Sequence, residues 1–108
     1  MTENQSPDPG GKIIVRVDPD LEDLIPGFLE NRRSDIQAMQ EALEQGDFET
    51  IRKMGHTMKG VGGGYGFDDI TTLSREIGEA VEQRNASGVR EGLNKLSGYL
   101  DRVEVVFE

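Results

Sequence analysis

The sequence predicts an all-α protein: an antiparallel four-helix bundle with an extended N-terminal lead and a kinked first helix. Apolar residues recur every three or four positions in four separate stretches, as on the buried face of an amphipathic helix. Short signals containing Gly, Asp or Asn end one stretch and start the next. A chain of 108 residues has room for one hydrophobic core. Four helices joined by short loops are therefore expected to share that core.

The segment before the first helix has two parts. Residues 1–12 place prolines and glycines among polar residues, which predicts a flexible lead. Residues 13–108 are expected to form the single domain. Ile13–Val17 is rich in β-branched residues and could be a strand, but no second strand pattern is evident to pair with it. We expect an extended segment packed on the bundle.

The first helix is predicted to start at Asp18, where an N-cap side chain is followed by a proline. Pro26 lacks an N–H and crowds the preceding turn, so the helix should kink or restart near it. The apolar face then continues to Gly46 through Leu21, Leu24, Ile25, Phe28, Leu29, Ile36, Met39 and Leu43.

Three further helices follow. Gly46 and Asp47 end the first helix and cap the second, which is expected over residues 48–63. Asp68 or Asp69 is expected to cap the third, which ends near Asn85. The fourth helix carries a seam with alternating four- and three-residue spacing: Val89, Leu93, Leu96, Leu100, Val103 and Phe107.

The composition limits the possible functions. Twenty-one acidic and twelve basic residues give a net charge of −9, which disfavours binding to nucleic acid or to an anionic membrane and favours a protein partner. The absence of cysteine excludes disulfides and Cys-based zinc sites. No run of about 20 apolar residues and no signal-peptide pattern is present, so we expect a cytoplasmic protein. We also expect a monomer.

The one histidine, His56, lies on the predicted second helix. On a helical wheel it points roughly 160° away from the apolar stripe, so it should be exposed. Arg52 and Lys59 lie about one turn away, within reach of a group attached to the imidazole. A solvated charge is the ordinary interpretation of either cation alone. Gly60 and Gly63 share this face and leave a bare patch that another protein could approach. A metal site is disfavoured, because cations flank a single histidine.

A nucleotide-binding loop is also disfavoured in this glycine-rich stretch. A dinucleotide motif that began at Gly60 would need glycine where Tyr65 stands, and it would have to open a helix rather than close one. A P-loop would need Lys-Ser or Lys-Thr after Gly66, where Phe67 follows instead.

The motif His56-Thr-Met-Lys59-Gly60-Val-Gly-Gly63-Gly-Tyr-Gly66 resembles the signature H-x-x-K-G-x-x-G-x-x-G of histidine-containing phosphotransfer (HPt) domains, and all five defining positions match. The similarity extends from about residue 21 to residue 107. It departs from the family in the glycine before the histidine, where alanine is common, and in the richness of the glycine run.

The resemblance implies a phosphocarrier of a multistep phosphorelay that has no catalytic activity of its own. His56 would accept a phosphoryl group from a receiver-domain aspartate and pass it to another receiver. Lys59 would steady the phosphoryl oxygens and Gly60 would admit the receiver. No cofactor is expected on this chain, since the receiver would supply magnesium. A hybrid histidine kinase is a further possible partner.

Two alternatives remain open at this point. The chain could be an interaction bundle that works by binding alone, or a segment of a histidine kinase whose histidine is phosphorylated directly from ATP. The polar lead that begins at Met1 favours a free-standing protein over the kinase segment. The docking surface is expected on the His56 face, with Arg32 and Arg33 of the first helix as weaker candidates.

Overall fold

A computed structural model describes residues 11–108. The described chain starts with a strand, β1 (Ile13–Val17), and a 3-10 helix (Pro19–Leu24). Four α-helices follow: α1 (Ile25–Glu44), α2 (Phe48–Gly64), α3 (Asp68–Glu82) and α4 (Ala86–Arg102). A second strand, β2 (Val103–Phe107), comes last. Residues 1–10 of the predicted lead lie outside the described residues.

The four-helix bundle confirms the predicted fold class. Consecutive helices are joined by three-residue loops and therefore run antiparallel, and α1 also contacts α4, which closes the bundle. The core is built from apolar side chains of all four helices; among the most deeply buried are Met39, Ile51, Met58, Ile70, Ile77, Leu93 and Leu96.

The predicted break in the first helix is also present. Asp18 caps the 3-10 helix by accepting a hydrogen bond from the Asp20 N–H at 2.9 Å. The chain then restarts as α1 at Ile25, with Pro26 in the first turn. A proline fits there because the first amides of a helix have no carbonyl partner within the helix.

The prediction that Ile13–Val17 has no pairing partner was wrong. It pairs in parallel with β2, in a register that runs from Ile13 opposite Val103 to Val17 opposite Phe107. The fourth helix accordingly ends at Arg102, five residues before the predicted seam does. Val103 and Phe107 are four residues apart, a spacing that fits a helix as well as a strand. The β-branched residues between them favour the strand once β1 lies alongside.

The interhelical loops follow the predicted pattern at Gly46 and Asp47 but not at the start of α3. Asp47 caps α2 and Gly46 has a φ of 71°, as expected for a glycine that ends a helix. The predicted cap of α3 was wrong: Phe67 occupies the N-cap position and makes no side-chain hydrogen bond, while Asp68 and Asp69 lie in the first turn. Their charges still lie at the positive end of the helix dipole. Burial of the Phe67 ring decides this start.

Candidate functional site

The start of α2 is fixed by Asp47. Its carboxylate accepts hydrogen bonds from the Thr50 hydroxyl at 2.6 Å and from the Thr50 N–H at 3.1 Å. These two bonds hold the pKa of Asp47 below its usual value, and the bond from the hydroxyl has the larger effect. From this start the apolar face of α2 turns Ile51 and Met58 into the core. His56 lies on the opposite side and is exposed.

An open groove of about 230 Å³ lies beside His56, between α2 and α3. Helix α2 contributes Arg52, Gly55, His56 and Lys59 to its lining. Helix α3 contributes Ser74, Arg75, Gly78, Glu79 and Glu82. The site is therefore shared by two helices, and its cations are not confined to the helix that carries the histidine.

Lys59 is held in place through its backbone. The Thr71 hydroxyl of α3 donates a hydrogen bond of 2.8 Å to the Lys59 carbonyl oxygen. Within residues 11–108 the Lys59 ammonium group forms no ion pair, and the His56 imidazole makes no hydrogen bond. Both polar groups can therefore interact with an incoming group.

Arg52 has an ion-pair partner on its own helix. It lines the groove, but its guanidinium binds the Glu49 carboxylate through two contacts, at 2.6 and 3.1 Å. The hydrogen bond lowers the pKa of Glu49 and raises that of Arg52. A two-contact pair of this kind orients the guanidinium toward its own helix. Arg52 is thus already paired in the unbound protein.

The glycines of α2 differ in what they permit. A Cβ at Gly60 would meet nothing within 4 Å, so the surface is open there. A Cβ at Gly63 would lie at an ordinary contact distance of 3.5 Å from the Thr71 hydroxyl, so Gly63 is exposed but borders α3. A Cβ at Gly62 would come within 2.8 Å of the Ile70 side chain, so Gly62 allows α2 and α3 to pack closely. At buried Gly55 the nearest atom, the Ser74 carbonyl oxygen, would be 3.9 Å away, so close packing does not require a glycine there.

The weaker docking candidates on α1 have structural partners. Arg32 binds Asp35 at 2.9 Å and stacks on the Phe28 ring. Arg33 bridges to α4 by donating hydrogen bonds to the Asp101 carboxylate at 2.8 Å and to the Leu100 carbonyl oxygen at 2.9 Å. The Arg33 contacts join α1 to α4, whereas those of Arg32 lie within α1.

Sequence reasoning missed the α3 side of the groove. Ser74, Arg75 and Gly78 are 18 to 22 residues beyond His56 in the chain, and no motif links them to it. The available signal was a flank of the α3 helical wheel, next to the stripe of Ile70 and Ile77. That flank could be assigned to the site only once α3 was known to lie beside α2.

Residues 11–108 contain no group of three or more His, Asp or Glu side chains placed to hold a metal ion. In the same range no helix has the length and apolar character to span a bilayer.

The geometry suits transfer of an anionic group to a nitrogen nucleophile. An exposed imidazole, an ammonium group one turn away that has no ion-pair partner among residues 11–108, and an open surface at Gly60 lie on the same side of α2. Comparison with known families gives a match to the Hpt domain over residues 23–105. Neither curated proteins nor solved structures give a match. Since the matched region covers most of the 108 residues, the chain belongs to the Hpt domain family, whose members carry out histidine-containing phosphotransfer in two-component phosphorelays.

Proposed function

We propose that this protein is a monomeric, cytoplasmic phosphocarrier, in which His56 accepts a phosphoryl group from the aspartate of one receiver domain and passes it to another. The observation that carries the proposal is the exposed imidazole of His56 beside the ammonium of Lys59, which forms no ion pair within the described part of the chain, inside the region that matches the family. Response-regulator receiver domains are the typical partners of Hpt domains. A hybrid histidine kinase is a further partner consistent with the proposal.

The transfer step needs an in-line nucleophile and charge stabilisation. A lone pair of one imidazole nitrogen attacks phosphorus, the P–O bond of the receiver's aspartyl phosphate breaks, and the electron pair leaves on the aspartate carboxylate. The second imidazole nitrogen keeps its proton. The product is a phosphohistidine on this chain and a free carboxylate on the receiver.

The residues of this chain bind the phosphoryl group and leave room for the receiver to reach it. Lys59 supplies a positive charge one turn from His56, and a charge-assisted hydrogen bond to a phosphoryl oxygen is among the stronger interactions available on a surface. Gly60 lets the receiver's backbone approach, since no side chain covers the helix there. Gly63 contributes less, because Thr71 lies beside it. Magnesium and the acidic pocket are assigned to the receiver, so the chain is a substrate of the transfer rather than a catalyst.

The test is to incubate the protein with a phosphorylated receiver domain and follow the label. We expect a phosphoprotein that is labile in acid and stable in alkali, and no label on His56→Gln. Lys59→Gln should slow labelling by about tenfold, the loss of roughly one charge-assisted hydrogen bond. Lys53→Gln is the matched control: this lysine is exposed on the same helix but does not line the groove, so labelling should stay at the wild-type rate.

The alternatives give different results. Labelling that persists in His56→Gln would refute the assignment of the phosphorylated residue. A purely binding protein would bind a receiver without taking up label, and His56→Gln would leave the cellular output intact. A kinase segment would be labelled by a kinase and ATP but not by any phosphorylated receiver.

A further inference from the structure

We propose that Arg75 of α3, and not Arg52 of α2, is the second cation that binds the phosphoryl group on His56. The proposal rests on the proposed function, because it assigns a role around the same phosphorylated histidine. It extends the phosphoryl-binding site to α3, a helix that contains no residue of the sequence motif. Both arginines line the groove, and the proposal assigns the role to Arg75.

The alignment of the two helices brings Arg75 level with His56. Helices α2 and α3 run antiparallel, and the Thr71 hydroxyl binds the Lys59 carbonyl oxygen. A Cβ on Gly55 would have the Ser74 carbonyl oxygen as its nearest neighbour from α3. One turn back along α2 therefore corresponds to one turn forward along α3. The level of His56 on α2 thus matches the level of residues 73–75 on α3, and of these Arg75 is exposed and lines the groove.

The two arginines of the groove differ in their partners. Arg52 is held by Glu49 through two contacts. Arg75 forms no ion pair and no side-chain hydrogen bond within residues 11–108, although Glu79 lies one turn away on the same helix. Recruiting Arg52 would break an existing ion pair, whereas Arg75 can turn toward a phosphoryl group without losing one.

The groove has space for this movement. Gly78 follows Arg75 by about one turn, and a Cβ there would meet nothing within 4 Å. On the α2 wall Gly55 also lacks a side chain. Ser74 borders the groove with a hydroxyl that is buried and has no hydrogen-bond partner within the described residues. Among the described residues, this part of the groove therefore contains a hydroxyl that is free to form a hydrogen bond.

The chemistry of the two cations is complementary. A phosphoryl group on an imidazole carries up to two negative charges on three equivalent oxygens. The planar guanidinium of Arg75 can donate to two oxygens at once, while the Lys59 ammonium acts as a point charge from the α2 side. Glu79 and Glu82 lie further along α3 in the same groove and would repel the phosphoryl group from that end. The group is then directed toward Lys59 and Arg75.

Two measurements on the full chain test this assignment. First, His56 is phosphorylated with phosphoramidate, a small donor that needs no receiver, and protonation of the phosphoryl group is followed by ³¹P NMR against pH. A nearby cation favours the dianion, so Arg75→Gln should raise the midpoint by about 0.5 to 1 pH unit. Arg52→Gln should leave the midpoint unchanged. Arg75→Lys, which keeps the positive charge, should have a midpoint between those of Arg75→Gln and the wild type.

Second, the rate of transfer from a phosphorylated receiver is measured for the same variants. Arg75→Gln should slow it by about tenfold, and Arg52→Gln should leave it within about twofold of the wild type. Equal effects of the two substitutions, or an unshifted midpoint in Arg75→Gln, would overturn the role of Arg75. Failure of the wild type to accept phosphate from any receiver would instead refute the proposed function, while the phosphoramidate titration would still report on Arg75.

Discussion

Gly60 and Gly62 are two residues apart on α2, yet replacing each by alanine should change stability in opposite directions. At Gly60 the new methyl group would meet nothing within 4 Å. At Gly62 it would lie 2.8 and 2.9 Å from two carbons of the Ile70 side chain and 3.3 Å from the Phe67 carbonyl oxygen. Ile70 is fully buried, and one of the two carbons is its Cβ, so the side chain or the backbone must shift to admit the methyl group.

The magnitudes follow from two terms. Alanine is favoured over glycine within a helix by about 1 kcal/mol, so Gly60→Ala should stabilise the protein by up to that amount. Gly62→Ala gains a similar propensity term but adds a steric cost of about 1 to 3 kcal/mol for overpacking a rigid core position. The two variants should therefore differ in free energy of unfolding by about 1 to 3 kcal/mol.

Urea unfolding followed by circular dichroism at 222 nm measures this difference directly, and thermal scans should show about 4 to 8 °C for each kcal/mol. Gly60→Ala adds a second readout, because a methyl group on the open patch should slow phosphotransfer while the fold becomes more stable. A stable Gly60→Ala protein that transfers at the wild-type rate would refute the role of Gly60 in receiver approach. Equal stabilities of the two variants would refute the packing argument.

Three further substitutions test other contacts. Asn85→Ala removes the side chain that caps α4 through the Gly88 N–H at 3.0 Å, and urea unfolding should show a loss of about 1 kcal/mol, whereas Asn85→Asp should retain the cap. Thr71→Val removes the hydrogen bond to the Lys59 carbonyl oxygen and should cost about 1 kcal/mol, with Thr71→Ser restoring it; an undiminished free energy of unfolding would contradict the bond's contribution. Burial, with a smaller contribution from nearby carboxylates, raises the pKa of Tyr99 well above its usual value. The contribution of Tyr99 to the free energy of unfolding should therefore be complete below about pH 10 and decrease as the pH rises above it. Tyr99→Phe should reduce this alkaline loss of stability in unfolding measured from about pH 8 to 11.

Much of the bundle could be predicted from local sequence signals. The break at Pro26 and the turn at Gly46 depend on backbone chemistry that acts within a few residues. The exposure of His56 follows from its angle to the apolar stripe of α2, which the helix period alone sets. Such features do not depend on which other helix lies nearby.

The errors lie where two distant segments meet. Val103 and Phe107 fit a helical seam equally well, and their assignment to a strand depends on β1, more than 80 residues earlier in the chain. The backbone hydrogen bonds of a parallel pair come from both strands, so neither strand's own sequence shows the partner. The start of α3 was also decided by burial, because the Phe67 ring packs into the core.

The sequence by itself determined the helices, the one histidine and the face from which it projects, because spacing along a single helix fixes these. Only the tertiary structure decided which charges surround that histidine. Arg52 pairs with Glu49 within α2, whereas Arg75 reaches the same groove only because α3 packs on α2. A position on one helical wheel fixes a direction, but the neighbour met in that direction depends on how two helices align, and that alignment is set here by the contacts of Gly62 with Ile70 and of Lys59 with Thr71.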